Sequence, residues 1–203
     1  MVVNDWLADT RDSYDTVAVS YADQTRDLLD GLPHLRAALR LFAELVDGPV
    51  ADVGCGPGEV TAVLHDLGVD VFGIDLSPAM IELARRNHPG PRFEVGSMTE
   101  PLPTTVSGVI AWWSLIHIPD DQVPVVFGHF HRALKPNGLV QLGFHVGDEA
   151  RLKTQGYGGH PMRVHVHLRP PERVAQWLRD AGFAVEAQWL LGTDQAVLFA
   201  RRQ

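Results

Sequence analysis

The segment Val50-Ala51-Asp52-Val53-Gly54-Cys55-Gly56-Pro57-Gly58-Glu59 constrains this chain most. A short apolar run meets three glycines at alternate positions, and a helix pattern, Glu59 to Leu67, follows at once. So tight a passage from strand to helix needs positions without a Cβ, where the backbone can turn sharply and approach its surroundings. Strand, glycine turn and helix in succession begin a βαβ unit, and such units build a parallel sheet covered by helices.

The alternation continues along the chain. Val69 to Ile74 reads as a second strand, Ser77 as the N-cap of a helix to about Asn87, and Arg92 to Val95 as a third strand. Val106 to Trp113 is a fourth, Asp121 to Leu134 a helix, and Leu139 to Val146 a fifth strand. Pro170 and Pro171 open a last helix that stops at Ala181-Gly182. Phe183 to Trp189 and Ala196 to Arg201 close the chain as a hairpin around Gly192-Thr193-Asp194, so the final strand is expected antiparallel. Strands apolar on both faces and right-handed crossovers predict an α/β fold, a doubly wound sheet of about seven strands. Ahead of it, Asp5 to Leu29 and His34 to Val46 read as helices, making residues 1–47 an N-terminal helical cap.

Composition narrows the partners. A chain of 203 residues, 45% hydrophobic and 21% charged, fits one domain spanning 1–203. Its net charge of −8 repels phosphate backbones, so no nucleic acid is expected. No apolar run approaches the ~20 residues of a membrane span, and the N-terminus lacks a basic-then-apolar signal pattern. The single cysteine, Cys55, excludes an internal disulfide framework and any multi-cysteine zinc site. A cytoplasmic protein without membrane contacts is expected.

Open α/β sheets bind ligands beyond the carboxyl ends of their strands, where the glycine loop lies. A dinucleotide loop has the spacing G-x-G-x-x-G, whereas here the glycines are spaced G-x-G-x-G and Glu59 follows. A diphosphate would face the carboxylates of Asp52 and Glu59; a cationic ligand without phosphate fits better. S-adenosylmethionine, with its sulfonium and ammonium, is such a ligand. Asp75 ends the second strand about 20 residues after the glycines, the spacing of a carboxylate that takes both ribose hydroxyls.

Asp52 to Gly58, the run Val71-Phe72-Gly73-Ile74-Asp75-Leu76-Ser77-Pro78-Ala79-Met80, and Ala133-Leu134-Lys135-Pro136-Asn137-Gly138 together resemble the class I S-adenosylmethionine-dependent methyltransferases. The resemblance covers nearly the whole chain and implies a seven-stranded, mostly parallel sheet of order 3-2-1-4-5-7-6. It implies that Asp52, Gly54, Cys55, Gly56 and Gly58 form the methionine cradle, with Cys55 a packing residue. Asp75 would hold ribose, and Leu76 and Met80 would border adenine. Tyr14 and Tyr21, in a Tyr-x-x-x-Ala-x-x-Tyr pattern, would close over the cofactor. One departure is Gly96-Ser97-Met98, where the family commonly has an acid: Ser97 is a weaker acceptor, leaving adenine selectivity to backbone groups and Met98.

The acceptor side is expected after the fourth and fifth strands. Trp112 is assigned to the cofactor and Trp113 to the acceptor; an extended pair alternates faces, so one meets the crevice and the other the core. An imidazole ordinarily titrates near neutral pH, so His117 is the candidate catalytic base, the other reading being a structural histidine that holds the loop. Residues 143–169 fall where related enzymes build a lid, and His145, Tyr157, His160, Arg163 and His165 are its candidate acceptor-binding residues. His165 and His167 share one face of an extended segment, but no carboxylate or cysteine partner stands at ligand spacing, so no metal is expected. Arg151, Lys153, Arg163 and Arg169 make the lid locally basic, which suits either an anionic acceptor or a solvated surface. The function so read is methyl transfer to a small-molecule acceptor, oxygen first and nitrogen next. The alternatives are a non-catalytic cofactor-binding module and a nicotinamide-dependent oxidoreductase.

Overall fold

A computed structural model describes residues 6–203. The cap is α1 (Trp6–Thr25), a 3-10 turn (Leu28–Gly31) and α2 (Pro33–Leu45). There follow β1 (Val50–Val53), α3 (Glu59–Asp66), β2 (Val71–Asp75), α4 (Pro78–Asn87), β3 (Arg92–Val95), β4 (Val106–Trp112), α5 (Val123–Ala133) and β5 (Leu134–His145). The chain ends with β6 (Glu149–Gln155), β7 (Pro161–Leu168), α6 (Pro171–Asp180), β8 (Phe183–Leu191) and β9 (Gln195–Arg202).

Seven strands form one sheet in the order β3-β2-β1-β4-β5-β9-β8. That is the expected order 3-2-1-4-5-7-6, the closing hairpin being counted here as β8 and β9. Strand β9 runs antiparallel to both β5 and β8. Every residue of β1 and β4 is buried, because both lie mid-sheet beneath helices on each face. On one face α5 and α6 contribute Val126, Phe127, Phe130, Val174 and Leu178. On the other, α2 presents Leu35, Leu39 and Phe42 at helical spacing, beside Leu64 of α3. Each such side chain stabilises the fold by about 1.5–3 kcal/mol through burial. No helix among the described residues is long and apolar enough to cross a membrane.

Two expectations are corrected. The helix read over Asp5 to Leu29 ends at Thr25, because Asp27, at φ −106° and ψ 14°, has left helical geometry and a separate 3-10 turn follows. Its expected start at Asp5, with the rest of residues 1–5 of the cap, lies outside the described residues. Residues 143–169 contain two strands that patterning missed: β6 and β7 pair antiparallel, apart from the main sheet. Met162 and Val164 of β7 are buried against Val17 of α1, so the ribbon and α1 form one cover over the sheet's carboxyl edge.

Register decides what lies beneath that cover. Val53 of β1 pairs with Ile74 of β2, and Asp52 pairs with Ile110 of β4. The glycine loop, Asp75 and the Trp112–Trp113 pair therefore leave the sheet side by side.

Candidate active site

Gly54, Gly56 and Gly58 all take positive φ, at 79°, 55° and 94°. A Cβ on Gly54 would lie 2.2 Å from the Ser114 Cβ, and one on Gly58 2.9 Å from the Phe93 ring. Gly56 differs: the nearest atom to its Cβ position is on the Tyr21 ring at 3.9 Å, so that face is open to the cleft. Asp75 fixes the loop from below. One carboxylate oxygen accepts from the Gly56 N–H and the other from the Ser77 N–H, each at 2.8 Å. Asp52, 1% exposed, accepts from the Thr61 hydroxyl at 2.6 Å. Burial pushes both carboxyls up, Asp52 to about 7 and Asp75 to about 6. Cys55 is buried, and that burial pushes its thiol up, as suits packing rather than attack.

Two cavities meet at this loop. The smaller, about 90 Å³, is bordered by Asp75, Leu76, Met80, Ser97, Met98 and His117. The larger, about 430 Å³, is bordered by Asp52, Cys55 and Glu59 on the loop side and by Trp113, His145 and Tyr157 on the far side. Tyr14, Tyr21, Gly54, Gly56, Trp112 and Trp113 border both, and so stand at the junction. Ser97 shares a hydrogen bond with the Thr99 hydroxyl at 2.7 Å and accepts from the Thr99 N–H at 3.1 Å.

The tryptophans do not alternate as extended residues would. Trp112 ends β4 and packs with Leu35 and Leu39, while Trp113 turns off at φ 50°. That left-handed backbone in a bulky residue is rare, costs about 1–3 kcal/mol, and tends to mark functional sites. Gly143 makes room for it: a Cβ there would lie 2.8 Å from the Trp113 ring. Both rings thereby reach the junction.

The cover is held down by polar contacts with no sequence signature. Asp15 of α1 accepts from the Ser77 hydroxyl at 2.5 Å and the Ala79 N–H at 3.0 Å, and Ser77 in turn caps α4 by accepting from the Met80 N–H. Ser13 accepts from the Arg163 N–H, and Ser20 donates to the Tyr157 carbonyl. Tyr14 and Tyr21 sit edge to face with centroids 5.9 Å apart, and Tyr157 meets Tyr21 at 4.6 Å.

His117 ties these parts together. Its Nδ1 lies 2.9 Å from the His165 carbonyl, which can only accept, so Nδ1 carries the proton. Nε2 is then the acceptor for the Tyr14 hydroxyl at 2.7 Å. Burial pushes His117 down to about 4, so the ring is neutral at pH 7 with both nitrogens engaged.

Other candidates lie elsewhere. His160 is exposed near the ribbon's turn. Arg163 donates to Asp9 at 2.8 Å and, with His165, borders a small separate recess. The basic residues of the segment are spoken for. Arg151 pairs with Glu149, and Lys153 lies 4.1 Å over the Tyr157 ring. Arg169 is buried and donates to Asp120 and to the Leu115 and Ile118 carbonyls. Among the described residues no cluster of three or more His, Cys, Asp or Glu is placed to hold a metal.

Residues 50–138, from β1 into the first residues of β5, match the model of a methyltransferase domain family. Over that stretch, which holds the glycine loop, Asp75 and the end of β4, the chain is similar to a methyltransferase domain. An uncharacterized methyltransferase of Oceanobacillus iheyensis is 28% identical over 109 residues, 51% of this chain and 51% of that protein. The ubiquinone biosynthesis O-methyltransferase of Pseudomonas paraeruginosa is 29% identical over 162 residues, covering 71% of this chain and 68% of its own. The chain thus spans half to two thirds of these relatives. In fold it resembles the Burkholderia thailandensis 1,6-didemethyltoxoflavin-N1-methyltransferase, solved with its substrate and S-adenosylhomocysteine. There the TM-score is 0.78 at 23% identity, over 100% of this chain and 91% of the other.

The residues of this site fit S-adenosylmethionine, the methyl donor that the sequence resemblance implies. Gly56 leaves open space where a backbone cradle is needed, and each Asp75 oxygen, using one lone pair on an N–H, keeps capacity for a ribose hydroxyl. Asp52 and Glu59 complement a cationic donor.

Proposed function

We propose that this protein transfers a methyl group from S-adenosylmethionine to the hydroxyl of a small molecule. The observation that carries the reading is the pair of joined cavities, one beside Asp75, Leu76 and Met80, the other running from the glycine loop to an aromatic wall. Bound there, the cofactor supplies an electrophilic methyl on a sulfonium. In this reading Asp75 takes ribose, Gly54 and Gly56 with Asp52 take the methionine end, and Leu76, Met80, Ser97 and Met98 enclose the base. Tyr14, Tyr21, Trp112 and Trp113 close the junction and exclude water, where alignment alone can lower the barrier by about 7–11 kcal/mol.

His117 acts here through Tyr14. Its lone pair receives the Tyr14 hydroxyl and its N–H holds the β7 backbone, so it positions the cover rather than taking the acceptor's proton. Oxygen is favoured over nitrogen because the larger cavity offers a neutral imidazole, His145, to a hydroxyl proton, and a relative carries O-methyltransferase in its name. A diphosphate-bearing nicotinamide cofactor fits worse beside Asp52 and Glu59. The net charge of −8 supports a small-molecule partner rather than nucleic acid, and the cytoplasmic setting inferred above belongs to the same proposal.

The test is incubation with labelled S-adenosylmethionine and a panel of phenols and amines, followed by mass spectrometry. Label in methyl ethers supports the reading, label confined to amines moves the acceptor atom to nitrogen, and cofactor binding without transfer to any acceptor favours a non-catalytic module.

A further inference from the structure

We propose that the acceptor is a neutral hydroxyarene whose apolar substituent runs out over a leucine rim, and that acceptors bearing a carboxylate or phosphoryl group are disfavoured. This rests on the methyl-transfer reading above and specifies the substrate class of that site.

The first observation is the larger cavity's outer wall. Leu28, Leu29 and Leu32, from the 3-10 turn and the entry to α2, border it. Leu28 is 55% exposed, an apolar side chain left in water on the cavity's border. An apolar group of the ligand would cover it, so the exposure that is unfavourable in the free protein becomes buried area on binding.

The second observation is the disposition of charge. No lysine or arginine borders the larger cavity among the described residues. Three cations of the cover already have carboxylate partners, Arg163 in Asp9, Arg151 in Glu149 and Arg169 in Asp120, while Lys153 lies over the Tyr157 ring, outside the cavity's border. Arg11, beside the smaller cavity, pairs with Asp12. An anionic acceptor would meet no lysine or arginine on the cavity's wall and would share the space with Asp52 and Glu59.

The third is the one imidazole in that wall. His145 ends β5 and meets the Trp113 ring edge to face at 6.2 Å. Burial keeps it neutral, and Asp194, facing it from the β8–β9 turn, opposes that shift through its carboxylate and carbonyl. A neutral imidazole has one N–H and one acceptor nitrogen; with its N–H directed to the Asp194 carbonyl, the remaining nitrogen accepts from a hydroxyl and has no donor for a carboxylate. An aromatic hydroxyl set against His145, with its ring against Trp113 and its tail toward Leu28, uses all three features.

The test uses the whole protein. S-adenosylhomocysteine is titrated first by calorimetry; failure to bind overturns the cofactor reading itself, apart from the present inference. With that ligand saturating, 2-naphthol and 6-hydroxy-2-naphthoate, whose carboxylate lies at the end of the ring opposite the hydroxyl, are compared by tryptophan fluorescence. We expect naphthol to bind at least ten-fold tighter. Equal or tighter binding of the naphthoate, or no saturable binding of naphthol, overturns the inference. Leu28→Lys places a cation at the rim in an exposed position that tolerates it. It is expected to raise naphthoate affinity at least five-fold while S-adenosylhomocysteine affinity stays within two-fold; naphthoate affinity unchanged in this variant overturns the placement of the tail.

Discussion

Gly56→Ala separates the loop's role in folding from its role in binding. At φ 55° an alanine takes left-handed backbone, which costs about 1–2 kcal/mol. Its Cβ meets nothing in the chain closer than Tyr21 at 3.9 Å, so no steric cost is added. In a chain of this size 1 kcal/mol corresponds to about 2–4 °C in Tm, so a loss of roughly 2–8 °C is expected. The same methyl stands in the cleft between the Tyr21 ring and the Asp75-anchored loop, where cofactor must approach the backbone. S-adenosylhomocysteine should therefore bind at least ten-fold more weakly, about 1.4 kcal/mol. Gly54→Ala inverts the pattern: its Cβ would strike Ser114 at 2.2 Å, and overpacking adds roughly 1–3 kcal/mol to the same backbone cost. Scanning calorimetry gives the stability of each variant and titration calorimetry the affinity. Undiminished affinity in folded Gly56→Ala would refute the placement of the cofactor on this loop.

Acid pH should weaken cofactor binding. Asp75 titrates at about 6 in the free protein, and its ionised form accepts the ribose hydroxyls, so affinity falls as pH drops through that value, about ten-fold from pH 7 to pH 5; flat affinity over that range in calorimetry would contradict the ribose role. His117→Ala and Tyr14→Phe break the same hydrogen bond, so turnover in the double variant should match the worse single variant; additive losses in a double-mutant cycle would show independent roles. Arg169→Met leaves the Leu115 and Ile118 carbonyls without their donor, at about 1–3 kcal/mol each, and should lower Tm measurably; an unchanged Tm would remove Arg169 from the support of the loop after β4. His145→Ala should lower kcat about 10²-fold with S-adenosylhomocysteine affinity unchanged, and equal losses in both would indicate a structural ring.

How far the residues announce this site depends on the range of the interactions involved. Strands β1 and β4 are legible because mid-sheet burial makes every position apolar, and α4 because Ser77 caps it within one turn. The glycine loop is legible because its backbone demand is local. The β6–β7 ribbon is not: it alternates Arg, Lys and His with apolar residues, and only packing on α1 tells Met162 and Val164 apart from the rest. The partner of His117 lies 103 residues away in Tyr14, so its chemistry as a free imidazole misstates its state in the fold. Trp113 escapes for another reason. Nothing in its type foretells a left-handed backbone, and the space it needs is provided by Gly143 on a neighbouring strand. Asp15 resembles any exposed acid on a helix until Ser77 and Ala79 are brought to it.

Parallel calorimetric titrations of the purified protein with S-adenosylhomocysteine and with NAD address the glycine loop and Asp75 directly. One equivalent of S-adenosylhomocysteine should bind, weakened by Asp75→Ala by ~1–3 kcal/mol, and NAD should give no saturable heat. Saturable binding of NAD with no response to S-adenosylhomocysteine would contradict a cleft built for a cationic methyl donor.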